Sequence, residues 1–362
     1  MNNVLIYGAG SIGNHLCYAC RRKGWHVSIV DIDKAALRRT REEIYPSRYG
    51  SWDDNITLST KPSLSKHYDL VVIGTPPDTH TKLALDVLSG DVPRVLLIEK
   101  PLSDPDLDSL VDLRRSNNNS RCKILVGYNH NLTQNTIRAG QIIKRGLLGK
   151  PLSIHVRWKE HWGGIFSAHP WLSGPEDSYL GFVERGGGAC AEHSHAISLW
   201  QHFSDLLGTG RISKVSAMMD IVDNDKVNYD RSAYLFLETE NNLTGSVIQD
   251  VVTKPAEKIL RLQGSEGFLE WFSNYDESND AIIYGSGDND VTIEKFQKTR
   301  PDDFSGEVDH IEKLLTGVED CSPVSFLHGM GTMLVIAAAH ASRLVERPMN
   351  LDYKRCTFHS GK

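Results

Sequence analysis

A short apolar run, Val4 to Tyr7, enters the turn Gly8-Ala9-Gly10-Ser11-Ile12-Gly13, and a helix-compatible stretch continues to about Lys23. Strand, glycine turn and helix in that order narrow the choice of fold, because each glycine has a physical reason to be there. The first permits a tight turn, the second lets a pyrophosphate approach the backbone, and the third lets the helix pack on the strand. The helix N-terminus adds free N–H groups for an anion. Gly8, Gly10, Ser11, Ile12 and Gly13 are therefore expected to hold a dinucleotide. His26 to Val30 reads as a second buried strand ending at Asp31, where an acid accepts both ribose hydroxyls of NAD and repels a 2′-phosphate. Ile32, Asp33 and Lys34 follow with no arginine next to the acid, so NAD is preferred over NADP. Asp33 is better placed than Asp31 to cap the helix that begins near Lys34.

The alternation continues with strands at Leu70–Ile73, Val95–Ile98 and Lys123–Gly127, and helices near Thr79–Leu88 and Pro105–Arg115. Continuous apolar strands separated by helices predict a parallel, doubly wound α/β sheet of the Rossmann type, covered on both faces. Ligands sit past the carboxyl ends of such strands. That brings Thr75, Pro76, His80, Glu99, Lys100 and Asn129 within expected reach of the cofactor. Cys17 and Cys20 form a Cys-x-x-Cys in the first helix, where a spacing of three puts two small side chains on one face. Packing is preferred to redox chemistry there.

At 362 residues the chain is long enough for about two domains. The pattern change places them at 1–128, for the cofactor, and 129–362, for the substrate. A net charge of −6 supplies no basic field for a nucleic-acid backbone or an acidic membrane surface. No apolar run approaches the ~20 residues of a membrane span. With six scattered cysteines and no export signal at Met1, the expectation is a cytoplasmic chain with reduced thiols.

Beyond a helix at about Leu132–Arg145, strand-like runs fall near 152–158, 212–221, 231–238, 243–251, 258–263, 267–273 and 280–284. Alternation such as Ser232 to Glu238 predicts an α+β domain with an open, mainly antiparallel sheet. Helices are expected at about Glu192–Leu207, Phe304–Thr316 and Leu327–Glu346. Gly186-Gly187-Gly188 precede Glu192-His193-Ser194-His195, as if to allow close backbone approach before a helix that points side chains at a cleft. Four residues of metal-ligand type crowd this stretch, Cys190 included, yet His193 and His195 point about 200° apart on a helix, so no bound metal is expected. The loop-rich segment 158–185 carries Trp162, and Arg185 closes it. Aromatic faces and polar partners there suit a sugar ring, or else the tryptophans cap the sheet.

The ordered set GAGSIG, TPPDTH, IEKPL, GYNHN, GGGACAEHSHAISLW and ASRLVERPMNL resembles the Gfo/Idh/MocA family of oxidoreductases across nearly the whole chain. The resemblance implies a nicotinamide-dependent dehydrogenase or reductase acting on a sugar, polyol or sugar derivative. Lys100 of the Glu-Lys-Pro motif would lie beside the reacting hydroxyl or carbonyl, with His195 moving a proton. Residue chemistry agrees, since removing hydride from a carbinol needs a base at the hydroxyl and positive charge where alkoxide character develops. Pro101 predicts a cis Lys100–Pro101 bond, and Glu99 is read as orienting Lys100 or meeting the nicotinamide side. Glu192 and Ser198 stand where the family usually shows aspartates, which puts the proton relay in question; Glu192 remains a candidate to bind a hydroxyl or tune His195. Substrate contacts are expected from Lys100, Trp162, Arg185, Glu192 and His195, and a homodimer or homotetramer through the open sheet. The competing reading is a NAD-binding sensor or regulatory subunit without turnover. A short-chain-type epimerase is set aside because the chain has no Tyr-x-x-x-Lys pair.

Overall fold

The computed structural model describes residues 1–63, 66–118, 120–169, 171–287 and 290–361, and its described residues form two compact units. The apolar runs of the first half become a six-stranded sheet: β1 (Asn3–Tyr7), β2 (His26–Val30), β3 (Ile56–Ser59), β4 (Leu70–Ile73), β5 (Val95–Ile98) and β6 (Lys123–Val126). All pairings are parallel, in the order β3-β2-β1-β4-β5-β6. Helices α1 (Ser11–Arg22), α2 (Lys34–Arg39), α3 (Tyr45–Tyr49), α4 (His80–Ser89) and α5 (Asp108–Asn118) join the strands. Every residue of β4 and β5 is buried, as continuous apolar runs require when both faces are covered. The strand order reverses beside β1, so the glycine turn lies at the switch point. β3 carries only one buried residue in four, too weak a signal to place from sequence.

This unit comprises Met1–Ser103, Asp108–Asn129 and Arg300–Phe326. The last segment, which the sequence reading grouped with 129–362, carries the helix Arg300–Thr316. Its Phe304 stacks on His15 of α1 at 4.6 Å, and Val308 and Ile311 are buried. A helix whose apolar face meets α1 is held to the sheet that α1 covers, wherever it falls in the chain. Cys17 and Cys20 are buried inside α1, and burial pushes both thiols up, which fits packing.

The second unit comprises Asp104–Leu107, His130–Thr299 and Leu327–Lys362. Its strands are β7 (Pro151–Lys159), β8 (Ile212–Asp223), β9 (Asn228–Thr239), β10 (Thr244–Asp250), β11 (Glu257–Gly264), β12 (Gly267–Phe272), β13 (Asn279–Ser286), β14 (Asp290–Gln297), β15 (Met349–Asp352) and β16 (Thr357–Ser360). They form one sheet in the order β14-β13-β12-β11-β7-β10-β9-β8-β15-β16, antiparallel except for β7 against β10. Its helices are α6 (Gln134–Lys144), α7 (Gly163–Ala168), α8 (Gly188–Glu192), α9 (His195–Leu206) and α11 (Phe326–Val345), the helix Arg300–Thr316 being α10. Ile154, Val156, Trp158, Leu260, Leu262, Leu269 and Trp271 are buried on the inner face, and Trp200 of α9 donates its indole N–H to the Ile154 carbonyl at 3.0 Å. Each such side chain contributes about 1.5–3 kcal/mol when fully buried. The single helix expected over Glu192–Leu207 is in fact two, broken at His193-Ser194 between α8 and α9. Among the described residues no helix is long and apolar enough to cross a membrane.

Candidate active site

The glycine turn divides its labour by geometry. Gly8 sits at φ +104°, and a Cβ there would lie 2.5 Å from the Gly74 carbonyl oxygen; one on Gly13 would lie 2.2 Å from that of Gly8. A Cβ on Gly10 would meet nothing within 4 Å, and Gly10 leads α1 with no side-chain cap. Two glycines thus close the turn and the middle one leaves Ser11, Ile12 and the first helical turn open, the cradle a pyrophosphate needs. Asn14 and Thr40 brace the turn from behind: the Thr40 hydroxyl donates to the Ala9 carbonyl at 2.8 Å, and the Asn14 amide donates to Thr40 and to the Gly10 carbonyl.

Asp31 follows β2 and accepts from the Ala9 N–H and the Asp33 N–H, both at 2.8 Å, while Asp33 caps α2 through Ala35. Beside it Ile32 is 93% exposed, an apolar surface where a 2′-phosphate would need a cation. The residues present fit NAD. Asp31→Ala is expected to weaken NADH binding about 10–100-fold, the loss of two charge-assisted hydrogen bonds, measured by fluorescence titration. An unchanged affinity would remove Asp31 from the site.

The other carboxyl ends of the sheet carry Thr75, Pro76, Glu99, Lys100 and Asn129. The Thr75 and Thr79 hydroxyls share a 2.6 Å hydrogen bond, and the Lys100–Pro101 bond is cis, as its sequence predicts. His80 is a correction. It is fully buried, with Nε2 2.7 Å from the Thr75 carbonyl and Nδ1 3.0 Å from that of Pro101, so it ties two turns together and presents no surface to a cofactor. Burial holds its pKa below the ordinary value, although the two carbonyls pull the other way. Glu99 is nearly buried, close enough to Gly127 that a Cβ there would be 2.8 Å from its carboxylate. Behind it Glu307 of α10 is buried with neither carboxylate oxygen hydrogen-bonded among the described residues, and burial, then Glu99 and Asp303, pushes its pKa up. Burial thus favours the neutral form of Glu307, which lessens the repulsion felt by Glu99.

In the second unit His195, at the first turn of α9, packs in a cluster of rings. Its centroid is 4.7 Å from His130 at 83° and 5.5 Å from Trp158, nearly parallel. His130 also meets Trp158 and Trp271 edge-on. Glu192, at the end of α8, accepts from the Tyr179 hydroxyl at 3.1 Å. His193 turns away from His195 and its Nε2 faces the Glu160 carbonyl at 3.3 Å. Ser198 is buried between Asn131, which donates to its hydroxyl at 3.0 Å, and His328 Nε2 at 2.9 Å, so it belongs to a packing network and not to the surface around His195. Trp162 is 5% exposed and packs with Leu180, Ala189 and Val251; it supports the wall from inside and offers no face to a sugar. Arg185 precedes the left-handed Gly186 and stays partly exposed. Sequence reasoning gave no site role to His130, Trp158 or Tyr179, because no local motif links them to His195; only the tertiary fold does.

It also missed Asp230, one of the groups whose close approach the expected glycines allow. Gly188 adopts φ +86°, and a Cβ there would lie 1.9 Å from Asp230 Oδ1, while one on Gly187 would lie 2.2 Å from the Tyr179 carbonyl. These glycines admit protein, not ligand. Asp230 is fully buried on β9, accepts from the Cys190 N–H at 2.6 Å, and faces His340 Nε2 at 3.9 Å. Burial raises Asp230 to about 7, against the pull of backbone amides, and lowers His340 to about 4. Between about pH 4 and 7 the folded state holds the Asp230 proton that the unfolded chain releases, so this group's contribution falls as pH rises and is flat above. His340 acts oppositely, its buried neutral form costing stability as pH falls through its ordinary range toward 4. In urea unfolding, Asp230→Asn is expected to gain on wild type steadily between about pH 4 and 7 and then hold constant. A pH-independent difference would contradict the raised value.

Family models match in two places: the oxidoreductase family with an NAD-binding Rossmann fold over residues 2–128, and the GFO/IDH/MocA C-terminal domain over residues 136–270. No curated protein matches the chain in sequence. Among solved structures it is similar to an oxidoreductase from Agrobacterium radiobacter in complex with NAD⁺, L-tartaric acid and magnesium, 17% identical, TM-score 0.75, over 98% of this chain and 99% of that one. It is also similar to the WlbA dehydrogenase from Bordetella pertussis in complex with NADH and UDP-GlcNAcA, 18% identical, TM-score 0.68, over 97% and 98%. A third is the super-repressor mutant of Gal80p from Saccharomyces cerevisiae, 13% identical, TM-score 0.75, over 96% and 97%. At these identities the likeness is one of fold. With models of one family covering most of its length, the chain belongs to the GFO/IDH/MocA oxidoreductase family, and residues 2–128 are its NAD-binding Rossmann domain.

Proposed function

We propose that the protein is a NAD-dependent dehydrogenase or reductase that interconverts a secondary hydroxyl and a carbonyl on a sugar, polyol or sugar derivative. The observation that carries this reading is the placement of the open Gly10 cradle, Asp31 and Lys100 at the carboxyl ends of β1, β2 and β5, one edge of one parallel sheet. NAD, when bound, takes up or returns the hydride. Lys100 accepts the hydroxyl proton as the C–H bond breaks and, as an ammonium, stabilises negative charge on the oxygen. His195 carries that proton onward, Glu192 with Tyr179 binds a substrate hydroxyl, and Arg185 takes a further polar group. Glu99 orients Lys100, and Asn129 and Thr75 contact the cofactor. The polyhydroxylated ligands of the Agrobacterium and Bordetella relatives support the substrate class.

The reading includes a homodimer or homotetramer formed through the outer face of the second unit's sheet. Met218 and Phe236 are 73% and 63% exposed there, with Tyr234 paired opposite Met218. It also keeps the chain in the cytoplasm, where its six unbridged cysteines stay reduced. A second reading, a NAD-binding sensor without turnover, is favoured by the absence of a carboxylate at Ser198 and by its enclosure between Asn131 and His328. A near-ultraviolet absorbance screen with NAD⁺ against aldoses, inositols, uronic acids and nucleotide sugars separates the two. NADH formation establishes the enzyme, and NADH binding with no turnover across the panel supports the sensor.

A further inference from the structure

Glu192 ends a helix too short to hold itself. α8 spans the five residues Gly188–Glu192, far below the ~12 at which a helix in water gains stability from its own hydrogen bonds, so what grips it decides where it lies. Its cap position is Gly187, which has no side chain to take the first amides. Asp230 of β9 supplies what Gly187 lacks. It is fully buried, its Oδ2 accepts from the Cys190 N–H at 2.6 Å, and the Ala189 N–H donates to the same carboxylate. Gly188 leaves room for this, since a Cβ there would lie 1.9 Å from Oδ1. On the carbonyl side Gln249 of β10, also fully buried, donates to Cys190 at 3.3 Å. Two residues beyond Cys190 stands Glu192, which accepts from the Tyr179 hydroxyl at 3.1 Å. We infer that Asp230 is a positioning residue that holds α8 by its first amides and thereby fixes where Glu192 and Tyr179 meet a substrate hydroxyl.

The proposed function gives Glu192 its role, and the inference rests on that reading. A carboxylate on buried amides is a charge-assisted tie. An apolar side chain in its place leaves the Cys190 N–H buried and unpaired, a cost that α8 relieves by moving until the amide finds another acceptor. A five-residue helix that moves carries its last residue with it. Asp230 itself touches no substrate. Its Oδ1 and His340 Nε2, 3.9 Å apart, have no hydrogen bond among the described residues, so an asparagine can keep the tie to Cys190 and turn its amide toward His340.

The test compares Asp230→Leu, similar in shape with no acceptor, with Asp230→Asn at pH 8, above the raised Asp230 value of about 7. Hydrogen exchange read by mass spectrometry comes first and needs no substrate. The α8 amides are expected to exchange about tenfold faster in Asp230→Leu and near the wild-type rate in Asp230→Asn, with β11 and β12 unchanged in both. Unchanged exchange in α8, or a rise shared equally by β11 and β12, overturns the inference. If Asp230→Leu does not fold, Asp230→Ala, which removes the acceptor without adding bulk, is judged by the same result.

With a substrate from the absorbance screen, Asp230→Leu is expected to raise the KM for that substrate about tenfold. The kcat and the KM for NAD stay within a few-fold of wild type, and Asp230→Asn restores the substrate KM. In a Glu192→Ala background Asp230→Leu adds nothing, because the residue it acts through is gone. A rise that adds in full to that of Glu192→Ala overturns the inference. Local loosening of α8 in a protein that never forms NADH sinks the proposed function and leaves the hold of Asp230 on Glu192 standing; unchanged exchange in an active enzyme does the reverse.

Discussion

Lys100→Ala is expected to lower kcat by about 10²–10⁴-fold, the range for removing a positioned proton-transfer group, and to leave NADH affinity within a few-fold of wild type. The expectation follows from position. Lys100 is the second residue after β5, at the same sheet edge as Gly10 and Asp31, and His80 holds the Pro101 carbonyl beside it. Binding of the dinucleotide is expected to depend on the turn after β1 and on Asp31, neither of which the substitution touches. Steady-state kinetics with any substrate found in the absorbance screen, beside NADH titration, reads both quantities. A tenfold loss of NADH affinity with intact kcat would reassign Lys100 to cofactor binding.

The second large effect is on folding. Gly188→Ala forces a side chain into a left-handed backbone and against the buried Asp230, 1.9 Å from a carboxylate oxygen and 3.2 Å from the backbone nitrogen. Left-handed strain and the clash together cost more than about 3 kcal/mol, and the unfolding midpoint falls with them. Gly10→Ala is the control. Its added carbon meets no atom within 4 Å, so stability stays near wild type while the cradle for the pyrophosphate narrows and NADH binding weakens. Thermal unfolding and NADH titration on both variants separate a glycine that protects a fold from one that admits a ligand. Equal stability losses in the two would contradict the division.

Much of this architecture was legible because its signals are local. Buried parallel strands read as apolar runs, and β4 and β5 are buried at every position. Glycines around a tight turn announce themselves, and the close contacts at Gly8 and Gly13 agree with the reading of GAGSIG as a tight turn packed against a helix. Half-buried strands also showed, since β9 alternates Ala233, Leu235 and Leu237 inward with Tyr234 and Phe236 outward. Signals faded where burial is thin. β3 has one buried residue, β14 is an edge strand with Val291 and Ile293 exposed, and β15 and β16 form a hairpin of strands only four residues long. The chain's return to the first unit was invisible, because stacking of Phe304 on His15 joins residues far apart in sequence.

The candidate site divides the same way. Asp31, Lys100 and the glycines were placed by their strands. His80 and Trp162 have suitable chemistry in suitable segments, yet both are buried, and sequence does not distinguish a residue facing a cleft from one packed behind it. His130 and Asp230 needed the fold itself, being brought to His195 and Gly188 from other elements.

The central claim is hydride transfer, and the most direct measurement follows the hydride. NADH carrying deuterium at the transferring position is incubated with the protein and a panel of ketoses, inososes and keto nucleotide sugars, and the products are weighed by mass spectrometry. The account predicts one deuterium on the new carbinol carbon of at least one substrate, with the label absent in Lys100→Ala. Tight NADH binding with no deuterium in any product would contradict it.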